Sequence, residues 1–339
     1  MAQRKGKTVI LEKKPRIIAN AGVAGKKESE GPLGDEFDEV FEDTTMGQAS
    51  WEKAETELIK NAIELAVNKS ALQKSEIDAV FAGDLLNQCI GSAFALREMS
   101  IPFTGLYGAC STMALSLCMA ALSIETGGFN NCVAATSSHF CSAEKQFRYP
   151  LEYGGQRTPT AQWTVTGAGA AVLSSRQSEI SPYIDKIHIG TIQDYGIVDA
   201  ANMGAAMAPA ARKTISDFLR DTETSPDDYD LILTGDLGFV GSELLKGLLQ
   251  REDNIVLGKN YNDCGMMIFD REKQDVHAGG SGCGCSASVL CSHILNKMRD
   301  GKFNNVLFIA TGALMSPVSS REGESVPGIA HLVNIRRGI

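Results

Sequence analysis

The 339-residue sequence lacks any run approaching the ~20 consecutive apolar residues that a membrane-spanning helix requires. Its longest candidate, Met113 to Ile124, is interrupted by serines. The N-terminus has no apolar signal-peptide core, so neither a transmembrane segment nor a secretory leader is expected. Basic residues are outnumbered, 32 Lys and Arg against 41 Asp and Glu. The resulting net charge of −9 excludes a general nucleic-acid binder, which needs a phosphate-neutralising face. One local exception is the cluster Arg4, Lys5, Lys7, Lys13, Lys14 and Arg16. It reads first as a strand edge guarded by lysines, and second as a site of attraction to an anionic membrane surface. The nine cysteines include no Cys-x-x-Cys pair, which argues for a reducing interior rather than a disulfide framework. Cys283-Gly-Cys285 is too tight for a zinc knuckle, so no protein metal site is predicted.

What is present is the composition of a globular protein, 43% hydrophobic and 22% charged, at a length suited to two domains or two packed halves. The chain also repeats itself. Asp78-Ala-Val-Phe-Ala-Gly-Asp84-Leu is echoed by Asp230-Leu-Ile-Leu-Thr-Gly-Asp236-Leu. Gly127-Gly-Phe129-Asn-Asn131 is echoed by Gly301-Lys-Phe303-Asn-Asn305, each before an apolar strand, Val133 to Thr136 and Val306 to Thr311. Two echoes in the same order predict a duplicated α/β unit. We place its halves at residues 1–178 and 179–339. Extra chain in the second half falls between about Arg251 and Gly280.

Phe103 to Tyr107 reads as a strand, and Ser111 to Thr126 as a helix closed by Gly127-Gly128. Its counterpart runs from about Ser286 to Arg299. Both are apolar or small on nearly every face, so both are expected between layers rather than on a surface. Trp51 to Asn68 and Met207 to Leu219 have the pattern of outer amphipathic helices, and Thr166 to Ser174 that of a strand closing the first half. Alternating strands and helices imply mainly parallel or mixed sheets covered by helices.

Cys110 lies in Gly108-Ala109-Cys110-Ser111-Thr112, between a strand and the first buried helix. Unpaired backbone N–H groups and the helix dipole at such a start favour thiolate and attract anions. This turn resembles the nucleophile turn of the thiolase superfamily. The resemblance implies an α/β fold in five layers, α/β/α/β/α, with two central buried helices back to back. Thr166-Gly-Ala-Gly-Ala-Ala-Val-Leu is similar to the glycine-rich strand of ketoacyl synthases. Five further stretches are Gly31-Pro-Leu-Gly34, Gly83 to Gln88, Phe147-Arg-Tyr-Pro-Leu-Glu-Tyr-Gly-Gly155, Asp228 to Asp236 and Ala278-Gly-Gly-Ser-Gly-Cys283. Together they resemble the stage V sporulation protein AD family, over nearly the full chain. That resemblance implies a protein of endospore-forming bacteria that binds dipicolinic acid during its uptake into the developing spore.

In the ketoacyl synthase III branch the cysteine works with a histidine and an asparagine from the second half. Here the corresponding stretches read Gly235-Asp236-Leu237-Gly238 and Gly282-Cys283-Gly284-Cys285-Ser286. Neither offers a base or a carbonyl-polarising pair, and Asp236 would oppose thiolate formation by like-charge repulsion. No catalytic residue is therefore assigned. The expected ligand set is Asp84, Asn87, Gln88, Cys110, Ser111, His139, Asp236, Ser281, Gly282 and Cys283. For Asp84 and Asp236, capping and turn formation compete with pocket lining. For His139, a hydrogen bond within its loop competes with donation to a ligand carboxylate. Arg148 and Arg157 read chiefly as structural or interfacial.

The expectation is thus a pocket without chemistry: a dipicolinate-binding, non-catalytic transport component. It is expected at the spore inner membrane as a peripheral protein, beside integral membrane proteins of the same uptake complex, and as a homodimer. No cofactor is expected, and calcium only as a companion of the ligand. The alternatives are a Cys110-dependent acyltransferase or condensing enzyme, and a structural scaffold with a vestigial pocket.

Overall fold

Two sets of five strands with the same order organise the chain, seen in a computed structural model that describes residues 2–147 and 157–338. The first set comprises β1 (Arg16–Gly25), β2 (Ala79–Gly83), β3 (Phe103–Gly105), β4 (Asn131–Ser138) and β5 (Gly167–Ser174). The second comprises β6 (Tyr183–His188), β7 (Leu231–Thr234), β8 (Tyr261–Asp263), β9 (Asn305–Ala313) and β10 (Gly328–Arg336). Across the first set the order is β1-β5-β4-β2-β3, and across the second β6-β10-β9-β7-β8. In each, the last three strands are parallel and the first two antiparallel to their neighbours. The sets join edge to edge where Tyr183 pairs with Arg16. An N-terminal hairpin, Gln3–Lys5 with Thr8–Ile10, pairs with β6 and so associates with the second set.

Why the strands read as unbroken apolar runs is clear from their two faces. In β2, Ala79 and Phe81 join the central core while Val80 and Ala82 join an outer one. In β9, Val306, Phe308 and Ala310 face the centre, and Leu307 and Ile309 face outward. A two-residue period with both faces covered leaves no polar side. The outer layers are α1 (Trp51–Lys69) and α2 (Ile90–Met99) on one side, and on the other the helices Met203–Thr222 and Gly238–Asp253. Ser50 caps α1 by accepting from the Lys53 N–H.

Between the sheets lie α3 (Thr112–Glu125) and a helix that begins at Cys283 and continues, through one π-type turn, to Arg299. The two are in direct contact and share one core cluster, Met113, Leu117 and Cys118 beside Cys285, Val289 and Leu290. The second helix starts three residues before the expected Ser286. The glycine-rich strand follows from this packing: a Cβ at Gly169 would sit 2.3 Å from the Ala287 carbonyl oxygen. Only glycine lets the helix backbone rest on β5 there. The remaining helices are α4 (Phe140–Phe147), then α5 (Met203–Thr222) and α6 (Gly238–Asp253), the last two forming the second outer layer. Each expected helix is present; α5 extends four residues further toward the N-terminus than its amphipathic pattern.

Candidate functional site

The cysteine turn is held by its own neighbours. Ala109 takes a left-handed φ of 50°, which costs a non-glycine residue on the order of 1 kcal/mol and turns the chain sharply into α3. Ser111 Oγ donates to the Gly108 carbonyl at 2.6 Å, and Thr112 Oγ1 to the Ala109 carbonyl at 2.6 Å. The Ser111 side chain is thereby spent on the turn, which removes it from the expected ligand set as a donor. Cys110 itself faces a cavity.

That cavity is narrow: about 460 Å³ of empty space when its open mouth is counted, of which about 40 Å³ is wide enough for the centre of a water molecule. Its walls are mostly apolar: Leu85, Ala109, Ala143, Phe147, Met203 and Met315, with Tyr107 exposed at the edge. Polar atoms come from Cys110, Ser281, Thr164 and Glu144. Thr164 Oγ1 donates to Glu144 at 3.2 Å.

Behind Cys110 and Ser281 sits Asp236, fully buried. Its carboxylate accepts from the Gly282 N–H at 2.9 Å, Thr311 Oγ1 at 2.8 Å and Ser281 Oγ at 3.2 Å. The Cys110 thiol lies close enough to feel its charge. Burial lifts the Asp236 carboxyl to about 6, against the lowering effect of those donors. Burial, then the Asp236 charge, holds the Cys110 thiol well above its ordinary value. A second buried carboxyl, Asp263, is lifted to about 7, chiefly by burial. It accepts from the Leu237 and Gly238 N–H groups, each at 2.9 Å, at the start of α6.

The repeat-related Asp84 does something different. It accepts from the Leu86 N–H at 2.9 Å, the Ser92 N–H at 2.8 Å and Ser92 Oγ at 2.7 Å, which ties it to the start of α2. Its carboxylate is turned away from the cavity, where Leu85 takes its place. Beside it, Glu55 on α1 is lifted to about 8 by burial and by the Asp84 charge, while accepting from Ser142 Oγ at 2.5 Å and Ser137 Oγ at 3.3 Å.

Of the ten residues expected around the ligand, Cys110 and Ser281 line the cavity, and Asp236 and Gly282 support them from behind. Cys283 lies beneath, packed with Leu85, Cys110 and Ala143, its thiol directed to the Ser137 carbonyl at 3.0 Å. Asn87 and Gln88 are exposed, and Asn87 exchanges hydrogen bonds with Gln146 at 3.0 and 3.2 Å. His139 departs most from expectation. It is fully buried, its Nε2 is 2.7 Å from the Thr44 carbonyl oxygen, and it is absent from the described lining. That bond makes Nε2 the donor, and burial depresses the imidazole pKa, so the ring is neutral near pH 7. Arg157 stacks on Trp163 and pairs with Asp275 at 3.0 Å; of the Phe147 to Gly155 motif only Phe147 is among the described residues, and Arg148 lies outside them.

Sequence reasoning missed Tyr107, Glu144, Phe147, Met203 and Met315. Tyr107 carried a usable signal, an aromatic residue three positions before the cysteine. Glu144 and the methionines come from distant segments and carried none.

With the geometry in hand, three comparisons bear on identity. A family model described as Stage V sporulation protein AD matches residues 5–336. A stage V sporulation protein AD of Bacillus subtilis (strain 168) is 45% identical over 333 residues, covering 98% of this chain and 97% of the relative. Among solved structures, a 3-oxoacyl-[acyl-carrier-protein] synthase III from Aquifex aeolicus is similar with a TM-score of 0.56 at 13% identity, over 95% of this chain and 99% of that one. An OleA variant from Xanthomonas campestris with cerulenin gives 0.62 at 9%, over 96% and 97%. Human mitochondrial 3-ketoacyl-CoA thiolase gives 0.57 at 12%, over 96% and 100%. At such identities these structures show the fold alone, which is thiolase-like.

Proposed function

Because this chain belongs to the stage V sporulation protein AD family, we propose that it binds dipicolinic acid without catalysing a reaction, as a component of dipicolinate uptake into the developing spore. The observation that carries this reading is the placement of Asp236 directly behind Cys110 in a mostly apolar cavity. A condensing cysteine needs a partner that takes its proton. Deep burial beside a carboxylate whose charge disfavours thiolate keeps the pocket and removes the nucleophile.

Dipicolinate is a flat ring with two carboxylates. Leu85, Tyr107, Phe147 and Met315 supply apolar walls for a ring, and Tyr107 supplies a hydroxyl donor, while the Ser281 and Thr164 hydroxyls donate to Asp236 and Glu144. Glu144 and Asp236 disfavour a bare dianion. A calcium ion carried with the ligand would meet carboxyl oxygens there, the ligand type that calcium takes. Calcium is thus a companion of the ligand and not a resident of the protein.

Among the described residues no helix is long and apolar enough to cross a membrane. We propose, as the family resemblance implies, that the protein acts peripherally at the forespore inner membrane beside integral membrane proteins of the same complex, and as a homodimer. Titration calorimetry with dipicolinate, with and without calcium, tests the reading. Saturable binding near one ligand per chain supports it; no heat of binding in either condition leaves the scaffold alternative. The condensing-enzyme alternative retains the strained Ala109–Cys110 turn in its favour. Stoichiometric acylation of Cys110 by acyl-coenzyme A, followed by turnover, would establish it.

A further inference from the structure

Eleven large apolar side chains are exposed among the described residues, and four of them, Ile189, Ile192, Tyr195 and Val198, fall within ten consecutive positions. This loop leads from β6 to α5 and has little regular structure of its own. It is nonetheless pinned. Gln193 and Gly328 exchange backbone hydrogen bonds at 2.8 and 2.7 Å, and the Val326 N–H donates to the Ile197 carbonyl at 2.7 Å. Ser325 Oγ donates to Asp194 at 2.5 Å. The segment from Leu314 to Pro327 is therefore its fixed neighbour, closed at its base by the Leu314–Pro327 hydrogen bond of 2.8 Å and carrying Val318, which is 62% exposed like Val198.

Ile197, Met203 and Met315 pack into one cluster, and Met203 and Met315 also form part of the cavity wall. The two segments thus reach the cavity wall, one at Met203 and the other at Met315. Burying such side chains in water-free contact is favourable, and rigid apolar patches of this kind mark binding surfaces more often than chance exposure.

Charge selects the occupant. The two segments carry Asp194, Asp199, Glu322 and Glu324, all exposed, against Arg321 alone. An anionic lipid surface would be repelled, and a second copy of this face would set like charges against each other. We propose that this ridge docks a basic, amphipathic segment of a partner polypeptide, with its apolar side on Ile192, Tyr195, Val198 and Val318 and its cations on the acidic rim. The inference is independent of what the cavity binds, and its test contains no dipicolinate.

Fluorescence anisotropy of the full chain with two labelled 18-residue synthetic peptides provides that test. One peptide is built from Leu and Lys in amphipathic helical register, the other from Leu and Glu. The Leu/Lys peptide should bind one to one and the Leu/Glu peptide not at all. Val198→Ser with Val318→Ser, and separately Glu322→Lys with Glu324→Lys, should each weaken binding at least tenfold. Ile180→Ser, at a 79%-exposed site in another loop, should leave it unchanged. Equal binding by all variants would overturn the proposal. So would self-association in sedimentation velocity that Val198→Ser with Val318→Ser abolishes. So would co-sedimentation with phosphatidylglycerol vesicles that depends on the same residues.

Discussion

Asp236 sits behind Cys110 at the base of the cavity and its charge disfavours the thiolate, while the repeat-related Asp84 is bonded to Ser92 and anchors α2. In the second half, Asp263 anchors the start of the corresponding helix. That substitution frees Asp236 from the structural task its counterpart performs. The two halves share a strand order, and their aspartates have diverged in function.

Replacing Asp236 with Asn should make Cys110 more reactive. Removing a like charge beside a thiol is worth on the order of one pKa unit, so the thiolate fraction rises roughly tenfold. Alkylation by iodoacetamide at pH 8, followed by mass spectrometry of the Cys110 peptide, measures it. Rates equal to wild type would mean that the thiol does not sense the carboxylate.

The same variant has a defined pH signature. The folded Asp236 carboxyl titrates at about 6, above the ordinary aspartate range, so the folded state binds more protons than the unfolded state between about pH 4 and 6. Its contribution to stability is present below pH 4 and is lost as the pH rises through 6. Asn at this position does not titrate. The unfolding free energy of Asp236→Asn relative to wild type should therefore rise by on the order of 2 kcal/mol from pH 4 to pH 8 and level off above 7. Urea melts across that range give the difference directly, and a flat difference would contradict the burial assignment.

Cys110→Trp and His139→Ala should separate binding from stability. Tryptophan at Cys110 fills the cavity, and dipicolinate affinity should fall below detection in calorimetry, with a packing cost of about 1–3 kcal/mol. His139→Ala should leave affinity within twofold of wild type, because the ring is directed to Thr44. Losing that buried bond should cost about 1–3 kcal/mol in thermal unfolding. Affinity lost in His139→Ala with melting unchanged would return His139 to the ligand.

Gly169→Ala should prevent stable folding, since its Cβ would stand 2.3 Å from the Ala287 carbonyl oxygen and 2.5 Å from its carbonyl carbon, both backbone atoms. Gly323→Ala meets nothing within 4 Å and differs only in its φ of 78°, so it should cost about 1 kcal/mol. Soluble yield and thermal melts of the two proteins decide the comparison. A well-folded Gly169→Ala protein would show that the central helix is free to move off β5.

Much of this architecture was legible along the chain. The Asp78 to Asp84 and Asp230 to Asp236 echoes mark equivalent strands, β2 and β7, because an apolar run between a turn and an aspartate carries its own backbone preference. Cys110 at the head of a buried helix was equally visible, as was the missing histidine in Gly235 to Gly238. These features depend on backbone state and on which face is apolar, and both are set by neighbours a few residues away.

Side-chain direction at the strand ends was not legible. Gly83-Asp84-Leu85 and Gly235-Asp236-Leu237 are the same tripeptide, yet one carboxylate meets Ser92 and the other meets Ser281 and Thr311 behind Cys110. His139 followed a donor-rich strand end but found Thr44, 95 residues away in the chain. A buried polar group turns to whichever partner satisfies it, since leaving it unpaired costs about 1–3 kcal/mol. Those partners are delivered by packing of distant segments. The chain determined by itself that a cysteine would head a buried helix in a duplicated α/β fold; only the tertiary structure decided which aspartate would lie behind it.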